Sequence, residues 1–504
     1  MFGKYPVELG LEWYEFIYLT SPRYLDPRLI AFASVGTHNH FVAIHQGAVL
    51  NRHAPVITFK SDVSAADLNG ILGLLNSSTA CFWLKQVCFP KDGQALEWHE
   101  RFEFDGTKLA SLPTPAHQPT QLPTALVQTS TALQAQSPAA TLASWSGPSG
   151  DPLRTRLATA RDQATRLRRQ LIAWQEELDW QIYEAFGLVE GAAASGPAAV
   201  SLPEGEAMDR VAEFGLELGE RAFEIVLARR MAAGEVQTTW FERHGSTPLT
   251  ELPRHWPAAY RELVERRIAR IESDPAIRLI EQPEYKRRWN TEPWDEQFTK
   301  AARDWLLARL EGFFFEGSRV CDLDSSFDPA AHGFAAANRP HLVTANQLAD
   351  VAQMDRWFME VAENYVGSSG FSVPKLVREL VGVAAVPYLP ALRYKESGLR
   401  KREDWEATWE LQRKEDIVGT EVRSQRPGAS EEELKTEIRK AQHKQVGDIP
   451  VPPKYTNKDF TKTSYWSLRG KLDVPKERWI SYPGAERAGD DSLLIAWAGW
   501  DHLQ

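Results

Sequence analysis

The sequence predicts an α+β protein, mainly α, with a small α/β lobe, a long helical middle and an irregular basic C-terminal lobe. Apolar residues recur three or four apart over most of the stretch from 152 to 450. β-Branched and aromatic residues gather near the start, in LIAFASVGTHNHFVAI, which reads as a strand. Beyond Pro450, prolines, turns and aromatics replace helical periodicity, and the apolar stretch LLIAWAGWDHL is suited to pack back onto the rest.

Taken in order, residues 1–112 form the α/β lobe. Its segment ADLNGILGLLNSSTACFWLKQV predicts one helix or two short ones. Residues 113–151, rich in Pro, Thr, Ser, Gln and Ala, read as a linker or loosely ordered arm. Residues 152–320 open with the clearest helix in the chain. Leu153, Leu157, Ala160, Ala164, Leu167, Leu171, Trp174 and Leu178 make a one-sided apolar seam, with Arg154, Arg156, Arg161, Arg166, Arg168 and Arg169 on the other faces. Helical patterning returns in EFGLELGERAFEIVLARRMAAG, PAAYRELVERRIARIE and DEQFTKAARDWLLARLEGFF. Residues 321–450 are again helical, and residues 451–504 form the basic, aromatic C-terminal lobe.

With 504 residues the chain can bury a large core. Mean hydropathy is −0.39 and no long uncharged apolar run occurs, so no membrane contact is expected. The opening MFGKYPVELGLEWYEF lacks the basic region of a signal peptide. Three cysteines without a CxxC pair suit a reducing compartment, and a cytoplasmic location is expected. The net charge is −10, yet Lys454 to Arg478 carries seven basic residues against three acidic ones. A local patch of this kind can attract a nucleic acid to an otherwise acidic protein.

Catalytic signatures are missing. The chain has no GxGxxG, GxxxxGK[ST], HExxH or GxSxG. Amino-methyl transfer to a base needs a glycine-rich loop for the adenosyl cofactor and an Asx-Pro-Pro-aromatic loop for the amino group. The Pro-Pro here is Val451-Pro452-Pro453-Lys454, with Val and Lys where Asx and an aromatic are required. No cofactor site and no methyl transfer are expected of this chain alone. Two weaker patterns remain. His38 and His40, with His45 and His53 nearby, would share one face of a strand as two metal ligands do, but no third ligand is apparent and hydrogen-bonded structural histidines are the plainer reading. Asp274 with Glu284-Tyr285-Lys286 echoes a metal-dependent nuclease, although Pro275 and Pro283 interrupt it.

Basic residues interleaved with aromatics stand out more. Arg287 and Arg288 precede Trp289, and Arg400, Lys401 and Arg402 precede Trp405. Lys462, Tyr465, Trp466, Arg469, Lys471, Lys476 and Arg478 crowd into one stretch. Cations neutralise phosphates and aromatic faces contact bases, so these twelve residues are the candidate DNA contacts. For any single cluster the alternative is a solvated face beside a buried Trp.

Several long segments carry a resemblance. AFASVGTHNHFV, LGLLNSSTACFWLKQV, WFERHGSTP, EYKRRWNTEPWDEQ, DWEATWELQRKED, DFTKTSYWSLRGKLDVPKERWISYPGAE and the terminal WAGWDHL resemble the region downstream of the catalytic domain in phage-growth-limitation (BREX-type, closest to type 2) adenine-specific DNA methyltransferases. The resemblance implies a target-recognition part of an enzyme that methylates adenine N6 with S-adenosylmethionine in an anti-phage system. It implies double-stranded DNA, a separate catalytic methyltransferase chain or domain and other BREX components as partners. The alternatives are a protein-binding scaffold for defence components and a metal-dependent nuclease.

Overall fold

A computed structural model describes residues 28–44, 50, 53–59, 63–91, 99–190, 199–314, 343–469, 477–482, 484 and 489–498. It is mainly α with small sheets. The described chain falls into two compact units, one built from residues 28–144 and 155–297, the other from 145–154 and the stretch after 298.

In the first unit the strand expected at the N-terminal lobe is folded back on itself. Strands β1 (Leu29–Phe32) and β3 (Phe41–Ile44) pair antiparallel, Leu29 opposite Ile44, with β4 (Val56–Thr58) on the far side of β1. The connection between β1 and β3 contributes β2 (Val35–Gly36) to a second small sheet with β6 (Phe102–Glu103) and β5 (Phe89–Pro90). Apolar residues on both arms, Ile30, Phe32 and Phe41, close onto Leu68, Leu72 and Leu84. A hairpin buries them better than one long strand.

The segment after β4 makes two helices, Ala65–Leu75 and Ser78–Val87. They part at Asn76-Ser77, where Ser77 caps the second through the backbone N–H of Ala80. The expected linker is helical as well, at Gln121–Ala135 and Pro138–Ser144. Leu122 and Ala125 are buried in the same core as the long helix, so tertiary burial overrides a composition that reads as a loop.

The seam predicts a helix from Leu153, and Leu153–Ala185 is a helix of 33 residues. Its first half is one-sided as expected, but from Leu171 to Tyr183 every side chain is buried. The carboxylates inside are held by cations. Arg267 forks onto Glu177 at 2.7 Å through both terminal nitrogens. Lys286 lies 3.2 Å from Glu176, 3.0 Å from Asp179 and 2.7 Å from Glu281. Helices Ala222–Ala232, Ala258–Ser273 and Pro275–Ile280 complete this unit's core.

In the second unit, helices Ala345–Met354, Arg356–Val366 and Val373–Ala384 precede a four-stranded sheet. Its order is β7 (Val343–Thr344), β10 (Leu494–Trp497), β9 (Trp479–Ser481), β8 (Ala385–Pro387), with β8 and β9 parallel. Leu494–Trp497, the described part of the apolar terminal stretch that forms a strand, is thus an inner strand. Helices Glu396–Gln425 and Glu431–Gln445 form an antiparallel pair, closed by Ile438 and by Gln442 donating to the Glu415 carbonyl at 3.1 Å.

Candidate nucleic-acid interface

The C-terminal cations expected to face DNA mostly hold the protein together. Arg478 pairs with Glu311 at 3.0 Å. Lys401 reaches Asp459 at 2.7 Å and the Lys454 carbonyl at 2.9 Å. Arg469 lies 4.2 Å from the Tyr455 ring centre and donates to the Tyr394 hydroxyl. Arg400 and Arg402 are on helix Glu396–Gln425, paired one turn away with Glu396 and Glu406. Lys462 sits over the Tyr465 ring, and Trp466 packs on Phe460. Lys471 and Lys476 lie outside the described residues. Sequence reasoning weighed charge density here without the acids that fold back onto it.

The other cluster behaves differently. Lys286, Arg287 and Arg288 are consecutive but diverge. Lys286 turns into the carboxylates of the long helix, where its positive charge is strongly stabilised by Asp179, Glu176 and Glu281 against the cost of burial. This removes it from any nuclease constellation; Asp274, the other supposed metal ligand, instead caps helix Pro275–Ile280 through the N–H of Ala276. Arg287 and Arg288 turn toward the small lobe. Arg287 donates to Asn76 at 2.9 Å, and Arg288 donates to the Thr37 hydroxyl.

These contacts bring Arg287 and Arg288 to the connection that carries His38 and His40, whose rings are 6.3 Å apart. The two histidines lie between strands rather than on one, so the shared strand face expected of a ligand pair is not formed. Among the described residues no group of His, Cys, Asp or Glu is arranged to hold a metal. The connection is pinned by Asn39, which donates to the carbonyls of Leu75 at 2.6 Å and Ser77 at 3.1 Å. Asn76 in turn accepts from the Phe41 N–H at 3.1 Å and donates to its carbonyl at 3.0 Å, so one side chain orders both strand β3 and Arg287.

Lys85 joins the cluster from helix Ser78–Val87. It is 9% exposed, its ammonium 5.0 Å from the Phe102 ring centre and 5.9 Å from that of Tyr285. Among the described residues it makes neither an ion pair nor a hydrogen bond. Burial lowers its pKa, assisted by Arg288 and only partly countered by Cys81, Glu284 and Glu100. Burial also pulls Arg287 and Arg288 down to about 10. Burial first, then Arg288, Arg287, His40 and Lys85, drive His38 far below the usual imidazole value. Three cations, Lys85, Arg287 and Arg288, therefore cluster beside two imidazoles held in the neutral form, with Glu284, Glu100 and Asp179 as the acids that act on them. Half-buried cations of this kind are costly until an anion compensates them. Lys85 escaped the sequence reading. The available signal was a lone lysine four residues after Cys81 on an otherwise apolar helix face.

The fold is that of a mainly α chain with a cluster of cations beside its two three-stranded sheets. The chain belongs to the family described as Domain of unknown function (DUF7008), which matches residues 171–504. It is 43% identical over 507 residues to the adenine-specific methyltransferase PglX of Streptomyces coelicolor (strain ATCC BAA-471 / A3(2) / M145). That alignment covers 98% of this chain and 37% of the relative, so the chain spans little more than a third of the relative's length. No solved structure matches. Among the described residues no helix is long and apolar enough to cross a membrane. The Pro452-Pro453 segment is held in place by side chains of helix Glu396–Gln425. The Pro453 carbonyl accepts the Trp405 indole N–H at 3.0 Å and the Lys454 carbonyl accepts Lys401, so the loop is a structural brace.

Proposed function

We propose that this chain is the DNA-binding, target-recognition portion of an adenine-N6 DNA methyltransferase of a BREX-type anti-phage system. S-adenosylmethionine and methyl transfer then belong to a catalytic chain or domain outside it. The observation that carries the reading is the clustering of three cations, Lys85, Arg287 and Arg288, on one side of the small lobe in a chain of net charge −10. A DNA backbone phosphate is the anion such a cluster would attract, and each phosphate neutralised releases about one counterion. The similarity to an adenine-specific methyltransferase supports the same partner. Lys462, Arg400 and Arg402, at the surface of the second unit, remain further candidates for backbone contacts.

The test is a salt titration of duplex binding by the purified chain and by Lys85→Met. Affinity should fall steeply with salt in the parent. In the variant the slope should drop by about one, with about a tenfold loss of affinity across sequences. Because Met removes a buried charge without emptying the site, melting temperature should hold or rise while binding weakens. A parent that binds no duplex at low salt overturns the DNA reading. Equal affinity and slope in parent and variant remove the cation cluster from the interface.

A further inference from the structure

Inside the first unit, the long helix meets a cluster of charges that its ion pairs do not balance. Five carboxylates, Glu176, Glu177, Asp179, Glu224 and Glu281, are buried there with three cations, Arg221, Arg267 and Lys286. Arg287, half-buried at the edge and attracted by Asp179, is a fourth. The Tyr183 and Tyr260 hydroxyls stay neutral, because burial first, and then the acids beside them, hold both well above the ordinary phenol value. Five negative groups against four positive ones leave one buried charge over, which a bound proton removes.

The hydrogen bonds show which carboxyls carry the excess. Glu177 gives both oxygens to Arg267 at 2.7 Å, and Glu224 holds Arg221 at 2.8 and 3.0 Å. Asp179 accepts the Ser78 N–H at 3.0 Å and the Ser78 hydroxyl at 2.6 Å. Glu176 and Glu281 each engage one oxygen. Glu176 Oε1 accepts the Trp180 indole N–H at 3.1 Å, and Glu281 Oε1 accepts the Tyr183 hydroxyl at 2.5 Å and Lys286 at 2.7 Å. The Oε2 atom of each is buried without a hydrogen bond among the described residues, although Lys286 lies 3.2 Å from that of Glu176 as an ion pair. Two such oxygens become complementary once one is protonated, because the new O–H needs an acceptor and the other oxygen needs a donor.

We propose that Glu281 and Glu176 share one proton at neutral pH, and that this proton latches the turn from Glu281 to Trp289, which carries Arg287 and Arg288, onto the long helix. The turn touches that helix at both ends, through the Tyr183 hydroxyl on Glu281 and Arg168 on the Trp289 carbonyl. Glu281 is the holder of the proton. Burial keeps its carboxyl up, at about 7, with Glu176 adding to the effect and Lys286 opposing it. Against burial, Lys286, Arg267 and Arg221 hold Glu176 below its ordinary value. Surroundings that push two neighbouring carboxyls apart assign the proton to one of them. Once the proton leaves, three full negative charges surround one ammonium, and the repulsion acts on the residue at which the turn begins. The latch holds whether or not the cations of the turn meet DNA.

The experiment compares denaturant unfolding of the full chain and of Glu281→Gln from about pH 5 to about pH 8. Gln offers a donor and an acceptor, as the protonated acid does, but does not titrate. An unfolded glutamate titrates at about 4.3. The folded parent therefore keeps its proton where the unfolded chain has released it, and this share of its stability is lost as pH rises through that window. The parent's folding constant should fall relative to the variant's by up to about tenfold per pH unit between about pH 5 and 7, and then run parallel to it. Corrected for intrinsic rates, amide exchange across residues 281–289 should quicken above neutrality in the parent and not in Glu281→Gln. Should Glu281→Gln fail to fold, Tyr183→Phe decides instead. It removes a hydrogen bond that favours the Glu281 carboxylate, so the pH at which stability levels off should move upward. A constant ratio of folding constants, an unmoved profile in Tyr183→Phe, or exchange in the turn that is the same on both sides of neutrality overturns the proposal.

Discussion

At the scale of single residues, direction matters more than type. Lys286, Arg287 and Arg288 have nearly the same chemistry, yet one balances three buried carboxylates and two turn to neutral partners in the small lobe, Asn76 and Thr37. Lys286→Met should cost about 3–5 kcal/mol, since it strands Glu176, Asp179 and Glu281 in the core. Denaturant unfolding checks this, and a loss below about 1 kcal/mol would mean that those carboxylates take up protons instead of repelling one another. His38 gives a second prediction. Its folded-state pKa lies below the unfolded value of about 6.5, so the unfolded chain binds the proton first. Its contribution to stability is complete above about pH 6.5 and declines as pH falls, by at most about 1.4 kcal/mol per pH unit. Between pH 7.0 and 5.5, His38→Asn should therefore lose less stability than the parent. Glu281, raised by burial and by the neighbouring Glu176, titrates with the opposite sign in both proteins and cancels in the comparison. Superimposable pH profiles would show that His38 is hydrated.

At the scale of elements, the long helix was the most legible feature, because its three–four spacing persists through eight positions from Leu153 to Leu178. What the spacing concealed was the change from a one-sided helix to one buried all round, since Glu176, Glu177 and Asp179 look solvent-facing until Arg267 and Lys286 are placed. Helices Gln121–Ala135 and Pro138–Ser144 were illegible for the opposite reason. Pro, Ser, Thr and Gln dominate there, and only Leu122, Ala125 and Leu142 betray a buried face. Gly73 makes that packing feasible, because a Cβ there would come 2.5 Å from Pro123 Cγ and 3.3 Å from Leu178 Cδ2. Gly73→Ala should destabilise by about 1–3 kcal/mol through overpacking. Leu178→Ala, which empties the other side of this contact, should cost about 2–5 kcal/mol. Thermal melts of the two variants check both values, and a neutral Gly73→Ala would mean that the helices separate freely.

At the scale of the whole molecule, each unit has its own buried core, and the acidic average of the chain hides a cluster of three cations, Lys85, Arg287 and Arg288. The isolated chain should incorporate no methyl group into DNA from labelled S-adenosylmethionine and should show no cofactor binding by calorimetry. Micromolar cofactor binding would contradict the assignment of catalysis to another part.

The sequence by itself determined the mainly helical character, the long helix from Leu153 and the helicity of the segment after β4, because periodicity and caps are local. Only the tertiary structure decided which cations are already neutralised. It brings Thr37 to Arg288 across 251 positions and Asn76 to Arg287 across 211. It also turns His38 and His40 out of the strand they were expected to share and adds Lys85 to their side of the lobe. Charge counts along a chain carry no information about acids that return from 167 positions away, as Glu311 does to Arg478. The balance of charge in a recess is set by burial and by distant partners, and both exist only once the chain has folded.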